Sequence, residues 1–325
     1  MSSRTLPVAV LLALSATALF GQSGQVGGPV IGFVWDGSVR ALRPILGIPG
    51  ASTLGDPLDA GFELSFATVA PRQDSAVAFA ADGSLHLLRL GSGVTEVLCG
   101  ACPSTAEAAV FSPSGTAVAL YSAGQARIVT GLPDAPAAGA SFEVGSLPRR
   151  ASRAGTLAPP MALSDDGAWL LASAVAAVNL FGANGGPRQL LETGPYALVA
   201  FAAGGHDAAI ADPSGAALAL FHDVAGASTG QPLATPDGIR HAGALAFSAD
   251  GSRLFLASRA QQSVAAIDIA TGTSSVAACN CAPSSLVPMG QVLRLNELGD
   301  GPLWLLDAGG PAEPRIVFVP AAAAQ

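Results

Sequence analysis

A short apolar run, a tight glycine-containing turn and a second apolar run recur along this chain, and no other feature restricts its fold as much. The pattern is sharpest at Ala108 to Phe111, Ser114-Gly115, Thr116 to Tyr121; at Met161 to Leu163, Asp166-Gly167, Ala168 to Leu171; and at Ala244 to Phe247, Asp250-Gly251, Ser252 to Ala257. Asp-Gly and Ser-Gly supply the positive φ angles that tight hairpins require. Weaker copies turn at Arg72 to Asp74, Gly204-Gly205 and Asp300-Gly301. Together they make about six units at the ~40 to 50 residue period expected of propeller blades.

The expected fold is all-β: a single β-propeller of four-stranded antiparallel blades, six in number, with a seventh partial blade as the alternative. One unit displays all four strands, at Leu64 to Val69, Ala76 to Ala80, Leu85 to Leu90 and Val94 to Leu98. The last unit, Ser284 to Pro320, reads one strand short. Near the N-terminus, Val30 to Trp35 and Val39 to Leu42 form a lone hairpin across Asp36-Gly37, followed by a Pro/Gly-rich connector from Pro44 to Pro57. Pairing the N- and C-terminal strands would close the ring and leave no open sheet edge.

Hydrophobic residues make up 50% of the 325-residue chain and charged residues 12%. Past residue 20, no apolar run reaches the ~18 residues of a membrane helix, so no span is expected there. The excess instead suits sheets covered on both faces, as stacked blades are. Residues 1–21 stand apart, with Arg4 followed by an apolar stretch from Leu6 to Phe20 and the small residues Ala16 and Ala18. That is the pattern of a cleaved signal peptide and predicts export to a periplasm or the medium. A mobile Gly-rich segment then covers 22–28, the propeller 29–320 and a disordered tail 321–325. The formal charge is -8, without a single Lys. Such a surface repels phosphate backbones, which excludes nucleic acid as a partner class.

Leu245 to Gly272, reading LAFSADGSRLFLASRAQQSVAAIDIATG, and Ala109 to Gly115, reading AVFSPSG, resemble the bacterial YVTN and TolB-like (WD40-like) β-propeller repeats. The Tyr-Val-Thr-Asn signature is missing. The resemblance implies a propeller and an exported location and carries no catalytic residue, because such repeats encode blades and fold does not fix function.

Cys99 and Cys102, and Cys279 and Cys281, are the only cysteines, and each pair lies between the last strand of one unit and the first of the next. In an oxidising compartment they are disulfide candidates. The two pairs belong to different sectors of the ring, and a bridge needs Cα atoms within ~7 Å, so local pairing is favoured. A redox role for Cys99 and Cys102 is the alternative. Gly226 to Gly230 matches G-x-S-x-G but lacks the strand–turn–helix setting of a hydrolase nucleophile. His206 and His222 read as polar punctuation beside turns, His86 as a strand residue packed or paired at the surface, no spacing suggests a metal site, and no cofactor is expected. Candidate binding residues are Glu107, Arg149, Arg150, Arg153, Arg240 and His241, all in or beside connections between units. Arginine forks there favour an anionic partner, a protein or a small ligand. The functional expectation is an exported binding or scaffold module. The alternative is a lactonase or hydrolase with a channel metal, which needs several carboxylates or imidazoles converging on the axis.

Overall fold

The computed structural model describes residues 28–147, 150–151, 157–158, 160–183, 185–214, 217–237, 239–309 and 313–321. Strands occupy seven antiparallel sheets besides a two-residue hairpin of Arg150–Ala151 with Leu157–Ala158. Six sheets have four strands in chain order from inside to outside, and one, the first, has three. We number them as blades 1 to 7. Their inner strands are Val30–Asp36, Leu64–Val69, Ala108–Phe111, Met161–Leu163, Leu198–Phe201, Ala244–Phe247 and Val287–Met289. Each blade runs inner strand, tight turn, second strand, loop, third strand, so all inner-strand turns share one end of the ring, here called the turn face. The connections between blades share the other end, the connection face.

The apolar excess of the sequence is resolved by the way the blades stack. Ala208–Ala211 and Leu218–Phe221 are buried at every position, whereas an outer strand such as Ser274–Ala278 is largely exposed. A strand covered on both faces has no reason to alternate. The hydrophobic core is accordingly divided into seven clusters, and each fills the space between two neighbouring blades. Phe142 and Phe181 meet between blades 3 and 4, for example, and Val34 and Ile45 of blade 1 meet Leu303 and Val319 of blade 7.

Seven blades replace the six expected, and the expected closure is replaced with them. Blade 1 is Val30–Asp36, Ala41–Ile48 and Ala51–Leu54, so the supposed connector Pro44 to Pro57 contains most of two strands. Blade 7 gains Val287–Met289 as its inner strand and is complete without help from the N-terminus. Among the described residues no strand pairing joins the first and last sheets; apolar packing holds them together. Residues 1–27 and 322–325, which hold the predicted leader and most of the tail, lie outside the described residues. No helix of the described residues is long and apolar enough to cross a membrane.

Candidate functional site

Five inner strands and the turns that end them enclose a central cavity of about 1160 Å³ that reaches the turn face. Its walls are apolar: Val110, Phe111, Met161, Leu163, Phe201 and Phe247 are among the side chains that line it. Polar groups gather at the mouth, where Ser114, Asp250, Ser252, Arg253 and Asp268 join Arg72.

The mouth is rigid for a reason that recurs in sequence. In blades 3, 4 and 6 the turns are Ser112 to Gly115, Ser164 to Gly167 and Ser248 to Gly251, and in each the glycine N–H donates to the serine carbonyl, at 2.9, 3.0 and 2.9 Å. The glycines take φ near +70°, open to a residue without Cβ. The serine hydroxyls are buried and turn back on their own loops: those of Ser164 and Ser248 donate to Asp166 and Asp250, both at 2.6 Å, while accepting the N–H of Trp169 and Arg253. The Ser248 hydroxyl, with the N–H and hydroxyl of Ser252, holds the Asp250 carboxyl down to about 2. Burial would raise Asp166, but the Ser164 hydroxyl, the Ala168 N–H and His206 outweigh it and leave this carboxyl below its ordinary range.

Two side chains carry the order of the mouth from blade to blade. Asp165 of blade 4 accepts the Ser114 N–H of blade 3 at 2.6 Å and the Gly204 N–H of blade 5 at 2.7 Å, one on each carboxylate oxygen. In blade 2 the turn is Ala70 to Gln73, and Gln73 stands where its counterparts have glycine, with φ of +66° and its N–H on the Ala70 carbonyl. Its amide oxygen accepts the Phe33 N–H of blade 1 at 2.7 Å. Gly32 makes room for it: a Cβ there would lie 2.6 Å from that oxygen and 2.7 Å from Met289 Cε. Beside it the Gly290 N–H of blade 7 donates to the Pro71 carbonyl of blade 2 at 2.9 Å.

The charges at the mouth are largely satisfied within the protein. Arg72 pairs with Asp74, and Arg253 donates to the Ala308 carbonyl at 2.6 Å and lies over the Phe255 ring. His206 bridges Asp166 and Asp223 at 2.8 and 3.5 Å. His222 meets Asp207, and His86 meets Glu96. Among the described residues no three or more His, Cys, Asp or Glu side chains are grouped so as to hold a metal ion.

The residues singled out in the sequence lie elsewhere. Glu107, Arg240 and His241 precede the inner strands of blades 3 and 6 and so belong to the connection face. The Glu107 carboxylate accepts the Ala123 N–H at 2.8 Å. Arg149 and Arg153 lie outside the described residues, and Arg150 is described only as part of a two-residue strand. The cysteines pair locally: Cys99 with Cys102 and Cys279 with Cys281, with Cα atoms 5.3 and 5.0 Å apart. Ser228 of the G-x-S-x-G match sits in a loop after Leu218–Phe221 with no helix following. The cavity residues were visible as turns and strands, but nothing in their spacing marked the turn face over the other.

No family model and no curated protein matches the chain. Solved structures do share its architecture. A protein of unknown function from Desulfotomaculum acetoxidans superposes with a TM-score of 0.56 at 11% identity, over 89% of this chain and 99% of that one. Two provisionally assigned 6-phosphogluconolactonases are also similar. The one from Bacteroides fragilis has a TM-score of 0.56 at 14% identity, over 90% and 95% of the two chains. Its counterpart from Bacteroides uniformis gives 0.54 at 15%, over 90% and 97%. Likeness at such identities shows the propeller fold and nothing finer, and the resemblance to YVTN and TolB-like repeats stands at that level too.

Proposed function

We propose that this chain is an exported binding propeller that takes a small, mainly apolar ligand into its central cavity through the turn face. The observation that carries this reading is the cavity itself, about 1160 Å³ with apolar walls and a rim whose charges are already engaged. Binding sites are typically apolar hollows with a few placed polar groups, and this volume is ample for a ligand of ordinary size. A hydrolytic reading draws on two of the fold's relatives, but it needs acid, base or metal-holding groups converging on the axis. The cavity wall supplies Val, Leu, Phe and Met, and the carboxylates at its mouth, Asp250 and Asp268, are engaged by Ser248 and Ser252 and by Thr271. Export is supported by the leader pattern and by two disulfides, which persist in oxidising compartments.

Titration of the whole mature chain with the neutral fluorophore N-phenyl-1-naphthylamine tests the cavity. Saturable fluorescence gain is expected, weakened about tenfold or more by the pair Ala200→Leu and Ala203→Trp, which fill the wall and the mouth. Absence of saturable uptake, or equal uptake by the filled variant, would overturn the reading. Turnover of lactones by the purified protein would do the same.

A further inference from the structure

The opposite end of the ring carries a surface that the cavity does not explain. We infer that the connection face over blades 5 and 6, where Tyr196, Arg240, His241, Arg259 and Gln261 lie, receives the oxyanion of a carboxylate- or phosphate-bearing ligand.

Charge gives the first argument. In a chain of net charge -8 six described arginines are paired with carboxylates, Arg40 with Glu63 and Arg72 with Asp74 among them. Arg43 meets Asp36, Arg89 meets Asp134, Arg294 meets Glu297 and Arg315 meets Asp307. Arg127, Arg240 and Arg259 are exposed and none of the three guanidinium groups has a partner among the described residues, but Arg240 and Arg259 lie together. The two belong to one surface, because the carbonyl of Arg240 accepts the hydroxyl of Ser258, the residue before Arg259, at 2.7 Å. Nearby carboxylates do not fill the role: Asp212 is taken up by Ser214 and Gly194, and Asp237 stands three residues before Arg240 without reaching either arginine. A free guanidinium offers a planar fork that fits carboxylate and phosphate oxygens two at a time.

Backbone geometry gives the second. Tyr196 and His241 both take positive φ, +66° and +58°, a conformation that costs most for the bulky Tyr. They enter the inner strands of blades 5 and 6, which pack side by side, so two strained entries flank one stretch of rim. The strain is held from beneath. Ser258 is fully buried and its one hydroxyl proton is shared between the Arg240 carbonyl and the Gln261 side-chain oxygen, which also accepts the Arg240 N–H. Gln261 therefore keeps its amide NH2 for an outside acceptor. Preorganised donors on a fixed backbone are what oxyanion recognition needs.

Calorimetric titration of the whole mature chain at low ionic strength, with hexaglutamate peptide, succinate and inorganic phosphate in separate runs, tests this. Binding of at least one probe is expected, weakening as salt is added. Arg240→Ala with Arg259→Ala should weaken it about tenfold or more, and Arg240→Lys with Arg259→Lys should fall between. Peptide binding alone would assign the site to an acidic segment of a partner protein, and binding of succinate or phosphate to a small ligand. His241→Gly should raise the melting temperature while weakening the same binding. Uptake of the neutral fluorophore should be unchanged in all these variants, which separates failure here from failure of the cavity reading. The inference falls if no probe binds the wild-type chain, or if the double alanine variant binds with undiminished affinity.

Discussion

Blades 3, 4 and 5 and blades 7, 1 and 2 meet the same problem, the joining of one blade's turn to the next, and solve it with different chemistry. In the middle of the chain a carboxylate does the joining, and Asp165 takes one N–H from each flanking blade. At the seam, where the two ends of the chain meet, a neutral amide does it: Gln73 reaches from blade 2 to the Phe33 N–H, and Gly290 bonds directly to Pro71. Beneath both lies an apolar interface, which at the seam includes seven buried side chains from Val34 to Val319. At ~1.5–3 kcal/mol for each large buried side chain, that packing outweighs a single amide bond worth ~1 kcal/mol. The comparison teaches that a ring can close by packing, with polar groups on the turn face setting register.

The largest effect expected from breaking this comparison is at Asp165. Replacing it with Ala leaves two backbone donors without their charged acceptor and should cost about 2–4 kcal/mol in denaturant unfolding. Asp165→Asn, which keeps one oxygen, should cost less. An Asp165→Ala protein as stable as wild type would show that the carboxylate bonds contribute nothing net.

A smaller effect is expected at the seam, and its sign depends on the replacement. Gln73→Ala loses the bond to Phe33 and keeps a side chain at φ +66°, so a loss of about 1–2 kcal/mol should appear. Gln73→Gly loses the same bond but suits that φ, and should come out nearer to neutral. Equal losses for the two variants would mean that backbone strain plays no part there.

The smallest effect is a pH dependence from the turns. Asp250 sits near 2 when folded, below its ordinary value of 3.8, so its contribution is fully present above about pH 4 and disappears as pH falls through 2. Asp250→Asn should therefore narrow the gap in stability between pH 5 and pH 2, as read by urea unfolding at each pH. An unchanged gap would place the acid sensitivity in other carboxyls, of which Asp166 and Asp212 are also held low by hydrogen bonds.

Much of this architecture could be read from residues alone, and the failures have local causes. Ala108–Phe111, Met161–Leu163 and Ala244–Phe247 appear where the alternation of apolar runs and Gly turns puts them. Blade 1 escaped because its second strand contains Pro44 and Gly47 and its hairpin is Pro49-Gly50, so the segment has the composition of a loop. Blade 7 escaped for a similar reason, with Pro288 in the middle of a three-residue inner strand. Pro and Gly are tolerated at strand ends and edges, and a pattern reader discounts both. The local cysteine pairing followed from ring geometry. The role of Gln73 left no such trace, because a glutamine in a glycine's place looks like a decayed repeat until its partner in blade 1 is seen. The mouth could not be chosen over the connection face, since both ends of an inner strand are equally near the axis.

Blade 1 ends at Leu54 and blade 7 begins at Val287, and neither borrows a strand from the other end of the chain. Each blade is thus an uninterrupted piece of sequence, and the place where the ring is cut into a linear chain is not dictated by hydrogen bonding. The gene could begin at any blade and still encode every sheet whole. A circular permutant opened between blades 2 and 3, with the natural ends joined by a flexible linker, would keep all seven interfaces. For a ring of this kind contact between neighbours fixes the order of the blades, and strand pairing leaves the identity of the first one open.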